Sequence, residues 1–374
     1  MKKILQVVPD EKFIDGTIEF FDSSFSENTY VILDIQKPFK YIKRHCDRVL
    51  SIASEEFHTF VIDRDFDMII FHQLWFSQYR LVIGLPKYIK VVWSSFGIDI
   101  YSSQGVLPPL YEINLYKSIT KALLKGKHTI KNHPLYVICK KIVYYFHHKM
   151  IQNRMLNRID YMATVLPIEY EKIKQKTRFT AKYFPFQYVS PGTTCRGVWI
   201  ENTASKILLG NSAVATNNHL DIVELLRERG ITNECVVPCA YGDYNYMIKL
   251  QEKCKHVSNL HFLLDFMPYS EYMQLIRSCR IAIFGHLRQQ AIGNIVIAML
   301  QGSKVFLYRD SVAYQYFKSE GYCVYTIEED LTIQNIEELM TETERELNRS
   351  KLEKMFAYTN VKKRIDDVLK QMNI

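Results

Sequence analysis

Ser205-Lys206-Ile207-Leu208-Leu209-Gly210-Asn211-Ser212-Ala213-Val214-Ala215-Thr216-Asn217-Asn218-His219 sets the reading of the whole chain. It opens as an apolar run too short for a helix, then turns through small and polar residues. From His219 to Arg229 apolar residues recur at helical spacing until Gly230 stops them. Strand, small-residue turn and helix in that order make the first unit of a parallel, doubly wound α/β domain. Downstream, Cys235–Pro238, His261–Leu263, Ile281–Phe284 and Lys304–Tyr308 read as further strands. Tyr244–Lys255, Tyr269–Ser278 and Gly293–Leu300 read as the helices between them. The charged stretch Ile333–Met372 reads as helical.

Upstream, Gln187–Asn202 holds Ser190-Pro191-Gly192-Thr193-Thr194 and little periodicity, which reads as a linker. Before it the alternation recurs. Ile4–Val8, Thr29–Leu33, Arg48–Ile52, Met68–Phe71 and Val91–Trp93 are strand candidates, with Gly16–Ser24 and Trp75–Gly84 as helices between them. Asp160–Leu166 and Phe179–Tyr183 continue the series. The expected fold class is therefore α/β: two Rossmann-like doubly wound domains with a cleft between them. The predicted bounds are 1–187 for the first domain, 188–202 for the linker, 203–345 for the second and 346–374 for a C-terminal helix. The length of 374 residues suits two domains of roughly 150 residues each.

Composition excludes several classes. No stretch approaches 18 uninterrupted apolar residues, so no membrane-spanning helix is expected. Gln6 and Pro9 interrupt the first apolar run, which reads as a strand rather than a signal peptide. Eight cysteines are scattered without a CxxC pair, which fits a reducing compartment and argues against a zinc or disulfide framework. The net charge of +8 is local. From Ile113 to Ile159 there is no Asp or Glu, while Lys117, Lys121, Lys125, Lys127, Lys131, Lys140, Lys141, Lys149, Arg154 and Arg158 fall there. The rest of the chain is nearly neutral, so the excess marks a surface for an anionic partner.

Candidate site residues cluster after strands. In an open parallel sheet, ligands sit outside the carboxyl ends of the strands. Gly210, Asn211, Ser212 and Asn218 follow one strand and precede a helix, which suits an anion; a capped turn with Asn218 as N-cap is the plainer reading. Arg288, Gln289, Gln290, Gly293 and Asn294 follow Ile281–Phe284, and Arg288 offers a guanidinium fork to a diphosphate. Tyr241 ends another strand and suits stacking on a base or sugar, or plain packing. In the first half, His72, Gln73 and Trp75 follow one strand, and Trp93, Phe96, Asp99 and Tyr101 follow another. A carboxylate among aromatic rings can act as a general base, and a loop Asp can equally cap a turn. Asp63-Arg64-Asp65-Phe66-Asp67 reads as a solvated turn before the strand at Met68, with a metal role as the alternative.

Four segments, in order, resemble the TDP-N-acetylfucosamine:lipid II N-acetylfucosaminyltransferase family, glycosyltransferase family 56. They are Trp93-Ser94-Ser95-Phe96-Gly97-Ile98-Asp99-Ile100-Tyr101, Gly210-Asn211-Ser212 with Asn217-Asn218-His219, Val237-Pro238-Cys239-Ala240-Tyr241-Gly242, and Arg288-Gln289-Gln290-Ala291-Ile292-Gly293. The likeness runs roughly from Ile69 to Tyr325. It implies the GT-B architecture and transfer of an amino- or acetamido-deoxyhexose from a nucleotide-diphosphate donor. The implied acceptor is a polyprenyl-diphosphate-linked saccharide at the cytoplasmic face of the bacterial inner membrane. One departure stands out: where many GT-B enzymes carry Glu in an E-A-M-x-x-G pattern, this chain has Ile297-Ala298-Met299-Leu300-Gln301-Gly302.

With that resemblance the expected roles are these. Gly210, Asn211, Ser212, Asn218, Tyr241, Arg288, Gln289, Gln290, Gly293 and Asn294 bind the donor, without a metal or other cofactor. Asp99, or failing it His72, takes the acceptor proton. Gln73, Trp75, Trp93, Phe96 and Tyr101 face the acceptor. Lys117, Lys121, Lys125, Lys140, Lys141 and Lys149, with Leu135–Ile138 and Ile142–Phe146, form an interfacial face for anionic lipid, the plainer alternative being a solvated helix whose apolar face packs in the first domain. The rival readings are a basic nucleic-acid binder and a different nucleotide-sugar enzyme such as an epimerase. The strand-end motifs of both halves disfavour the first.

Overall fold

The computed structural model describes residues 2–23, 26–101, 115–124, 146, 148–176, 179–186 and 206–371. Two compact units are present. The first comprises Met1–Glu112, Thr129–Ser190 and Tyr358–Ile374; the second comprises Ile113–His128 and Pro191–Ala357.

The first unit holds β1 (Lys2–Val7), β2 (Ser26–Leu33), β3 (Val49–Ile52), β4 (Met68–His72), β5 (Lys90–Ser94), β6 (Tyr161–Ala163) and β7 (Lys182–Tyr183). They form one sheet in the order β3-β2-β1-β4-β5-β6-β7, parallel throughout. The second unit holds β8 (Ile207–Leu209), β9 (Cys235–Pro238), β10 (Leu260–Leu263), β11 (Ile281–Phe284), β12 (Lys304–Leu307) and β13 (Tyr325–Thr326). Their order is β10-β9-β8-β11-β12-β13, again parallel. Helices cover the faces, so central strands are buried on both sides: every residue of β4, β8, β9 and β11 is buried. That is why the strands read as continuous apolar runs.

Each sheet grows outward in two directions from its first strand. The reversal falls between β1 and β4 in one unit and between β8 and β11 in the other. In open parallel sheets the loops at such a reversal diverge, and ligands bind outside the carboxyl ends of the strands. The residues after β8 and β11 are Gly210–Asn218 and Gly285–Ala291, so topology alone brings two of the four family segments to one place.

Two predicted boundaries are corrected. The described part of the basic stretch is divided, because Ser118–Leu124 belongs to the second unit. Asp221 of the helix His219–Glu228 caps its start, accepting from the N–H groups of Ile119 and Thr120 and from the Thr120 hydroxyl. The expected C-terminal helix is two helices, Glu342–Phe356 and Tyr358–Gln371, broken at Ala357, whose ψ of 129° leaves the helical region. Leu352 and Phe356 bury in the second unit, whereas Val361, Ile365 and Leu369, one helical stripe, join the core of the first. Phe57–Arg64 and Val312–Ser319 are helices to which the sequence reading assigns nothing. The predicted linker 188–202 lies outside the described residues.

Candidate functional site

In the second unit the two reversal-point loops are joined by Asn217. Its Nδ2 donates to the carbonyls of Ser212 (2.9 Å) and Val214 (3.0 Å). Its Oδ1 receives the Asn211 N–H (3.3 Å) and His286 Nε2 (2.7 Å). One residue away, the Thr216 hydroxyl donates to Gln290 Oε1 (2.6 Å). Gly210 and Gly285 permit this closeness. A Cβ on Gly210 would lie 2.6 Å from His219 Nε2, and one on Gly285 would lie 2.1 Å from the Asn217 carbonyl oxygen. Asn211 Nδ2 reaches the Tyr241 hydroxyl (3.0 Å), and Ala213 bridges to Gly242, which adds the β9 loop to the group. Tyr241 is half-exposed.

After β11 comes the helix Ile292–Leu300. Its N-cap, Ala291, sits at φ 55° and supplies no side-chain cap, so the first N–H groups at Gly293 and Asn294 lack one. Uncapped N–H groups with the helix dipole suit an anion, and Arg288 is four residues before that turn. Around this locus four buried polar atoms have no hydrogen-bond partner among the described residues: Asn211 Oδ1, His219 Nε2, His286 Nδ1 and Gln289 Oε1. Both imidazoles are neutral. Burial lowers His219 to about 3 and holds His286 well below its ordinary value, with Arg288 and His219 adding to the effect on His286.

Asn218 is not free for a ligand. Its left-handed backbone (φ 52°) turns the amide inward. There Nδ2 donates to the carbonyls of Gly285 (2.7 Å), Leu115 and Thr216, and Oδ1 accepts the Lys117 N–H (2.8 Å). Asn217, its neighbour, is the organiser that the sequence reading passed over, along with His219 and His286. The signal was present in the pairing of two adjacent asparagines with histidines at both loop ends. Ile297 is buried in its helix and cannot replace a ribose-binding Glu.

In the first unit the corresponding locus centres on a buried carboxylate. Asp99 is fully buried and both its oxygens are engaged. Oδ2 accepts Trp93 Nε1–H (2.7 Å) and the Leu74 N–H (3.2 Å), and Oδ1 accepts the Phe96 N–H (2.9 Å). Burial raises its pKa to about 6, and these donors oppose the rise. Asp99 thus ties the loops after β4 and β5, rather than presenting a free carboxylate. Trp93 and Tyr101, expected to face an acceptor, are buried, since β5 is covered on both sides and its indole points to Asp99. Phe96 is half-buried and stacks on Phe13 at 4.0 Å. Gln73 is buried at φ 79°, its N–H on the Ser94 carbonyl, and Trp75 is half-buried.

His72 is also buried, between Phe21 and Phe186, and burial lowers its pKa to about 3. A chain fixes its proton. Asn28 Nδ2 donates to the carbonyls of Phe21 and Ser26, so Asn28 Oδ1 accepts from Gln6 Nε2, and Gln6 Oε1 must accept from His72 Nε2–H at 2.6 Å. Its Nε2 therefore cannot take a substrate proton.

Of the predicted docking lysines, Lys117 is engaged within the second unit, over the Tyr308 ring at 4.2 Å and 3.9 Å from Glu328. Lys121 and Lys149 are exposed, the latter beside Phe146 and Met150, which are 66% and 55% exposed. Lys125, Lys140 and Lys141 lie outside the described residues. Asp65 ends a helix at φ 52° and Asp67, just before β4, accepts the Lys3 N–H, at the amino ends of the strands and away from the loops that follow them. Among the described residues no group of three or more His, Cys, Asp or Glu is arranged to hold a metal ion.

Three solved structures share the fold at low identity. Anabaena Alr3699/HepE in complex with UDP-glucose matches with a TM-score of 0.63 at 11% identity, covering 99% of this chain and 100% of that one. Sucrose-phosphate synthase from Thermosynechococcus elongatus matches with a TM-score of 0.61 at 8% identity, covering 100% and 99%. An E. coli structure bound with UDP-2-fluoro glucose matches with a TM-score of 0.60 at 9% identity, covering 99% of each chain. Residues 135–371 match the family model of the 4-alpha-L-fucosyltransferases, glycosyl transferase group 56. With more than half its length matched, this chain belongs to glycosyltransferase family 56 and is a hexosyltransferase of the GT-B fold.

Proposed function

We propose that the enzyme moves an amino- or acetamido-deoxyhexose such as N-acetylfucosamine from a nucleotide-diphosphate donor to a polyprenyl-diphosphate-linked saccharide, at the cytoplasmic face of the bacterial inner membrane. The observation that carries the donor half is the convergence of Gly210–Ser212, Arg288 and the uncapped helix start at Gly293 on one sheet reversal point. HepE and the E. coli structure hold UDP-sugars, which supports a nucleotide sugar as the ligand of this locus. Arg288 and the first N–H groups of the helix would meet the charge that grows on the departing diphosphate, and the proposal routes no step through a metal. Gln289, Gln290 and Asn294 would flank the sugar, and Tyr241 would lie against the base or ribose. Nucleic acid is not a partner in this reading. A screen of nucleotide sugars with purified enzyme and a polyprenyl-diphosphate acceptor tests it. Donor epimerisation without acceptor would instead favour an epimerase.

Arg288→Ala is expected to weaken UDP or TDP binding by about tenfold or more, since one charge-assisted contact is worth about 1.5–3 kcal/mol. Calorimetry measures it, and unchanged affinity would remove Arg288 from the site.

The acceptor's lipid would bring the enzyme to a membrane. Lys149 with exposed Phe146 and Met150 has the mixed basic and apolar character of an interfacial face. The protein is expected to float with anionic vesicles at low salt and to be released at high salt, each basic residue near the surface contributing about 1 kcal/mol. No flotation, or flotation indifferent to salt, would end that part of the proposal.

A further inference from the structure

We propose that Asn217 and His286 are the positioning pair of the donor site, an assignment that rests on the donor-site reading above. The proton positions follow from the contacts. Because Asn217 Nδ2 lies on two carbonyls, those of Ser212 and Val214, the other amide atom must be the oxygen. That oxygen accepts at 2.7 Å from His286, so the ring carries its hydrogen on Nε2. The same oxygen takes the Asn211 N–H, so one acceptor holds the backbone after β8 and the side chain after β11 together.

Neither residue is available to a ligand, since Asn217 is 0% and His286 1% exposed. What they govern lies next to them. Asn211 and Ser212 follow Gly210 on one side, and Arg288 is two residues beyond His286 on the other. The Thr216–Gln290 hydrogen bond is a second tie across the same gap. A diphosphate held by donors from two separate loops needs both at fixed spacing, and misplacement by about an ångström can cost a hundredfold in rate.

The test compares His286→Gln with His286→Phe. Gln can still donate an N–H to Asn217; Phe keeps a ring stacked near Phe284, as the imidazole is at 6.0 Å, but donates nothing. Calorimetry with UDP and TDP, and donor KM with the best sugar, are read beside the melting temperature. Gln is expected to stay within about threefold of wild type, and Phe to lose about tenfold or more in affinity at a similar melting temperature. Asn217→Asp, unable to donate to the two carbonyls, should lose more. A space-filling role predicts the reverse order, with Phe equal to or better than Gln, and that result overturns the assignment while leaving the donor site standing. If wild type binds neither UDP, TDP nor any nucleotide sugar, the donor-site reading falls and the pair falls with it.

Discussion

Gly210→Ala is expected to abolish UDP and TDP binding and to lower the melting temperature by on the order of 10 °C. Two costs act together. The residue sits at φ 70°, a left-handed conformation that costs an L side chain about 1–2 kcal/mol. The new Cβ would also lie 2.6 Å from His219 Nε2 and 2.8 Å from Asn217 Oδ1. Neither can retreat cheaply: His219 is fully buried with Nδ1 on the Tyr246 hydroxyl, and Asn217 is pinned on both sides. Overpacking of this kind costs about 1–3 kcal/mol, and here the give would come from the loop that carries Asn211 and Ser212. Gly230→Ala is the control. It has the same backbone strain at φ 68°, but among the described residues its Cβ would meet only Ile333 Cδ1, at 3.9 Å. It should lower stability by about 1–2 kcal/mol and leave nucleotide binding unchanged. Wild-type affinity in Gly210→Ala would move the donor site away from this loop.

The contrast between those two glycines also shows what a sequence conveys. Both stand at the end of a regular element, and nothing in the string tells which faces a packed histidine. The central strands were legible because burial on both faces turns each into an apolar run, as in Ile281–Phe284, where the predicted and observed bounds coincide. The helix Phe57–Arg64 was hidden because it buries only Phe57 and Val61. The break at Ala357 was hidden because alanine is the best helix former, and only the two cores claiming Phe356 and Val361 reveal it. Asn217 and Asn218 differ by one step of chain, and the backbone turn decides that one joins two loops while the other anchors Leu115 and Lys117. Aromatic neighbours of Asp99 were visible in the string, but not that the Trp93 indole points at its carboxylate.

That last contact makes Asp99→Asn the most consequential change in the first unit. Its two oxygens serve three donors, Leu74 N–H, Trp93 Nε1–H and Phe96 N–H, and no solvent reaches them. An asparagine keeps one oxygen and turns an NH2 toward a remaining donor, leaving a buried N–H orphaned at a cost of about 1–3 kcal/mol. The loop bearing Gln73 and Trp75 then loses its tie to the loop bearing Phe96, so turnover should fall by orders of magnitude while donor affinity, held in the other unit, changes little. The pH dependence carries its own sign. Burial raises Asp99 from 3.8 to about 6, so the folded protein binds a proton where the unfolded chain has lost it. The stability from this group is complete below about pH 4 and fades as pH rises through 6, by about 3 kcal/mol in all. Wild type should lose thermal stability across that window relative to Asp99→Asn, which has nothing to titrate. Turnover of wild type should fall below about pH 6, because a protonated carboxyl puts its own O–H among three donors. Near-normal turnover in Asp99→Asn, or parallel pH profiles for the two proteins, would show that these loops do not depend on the ionised carboxylate.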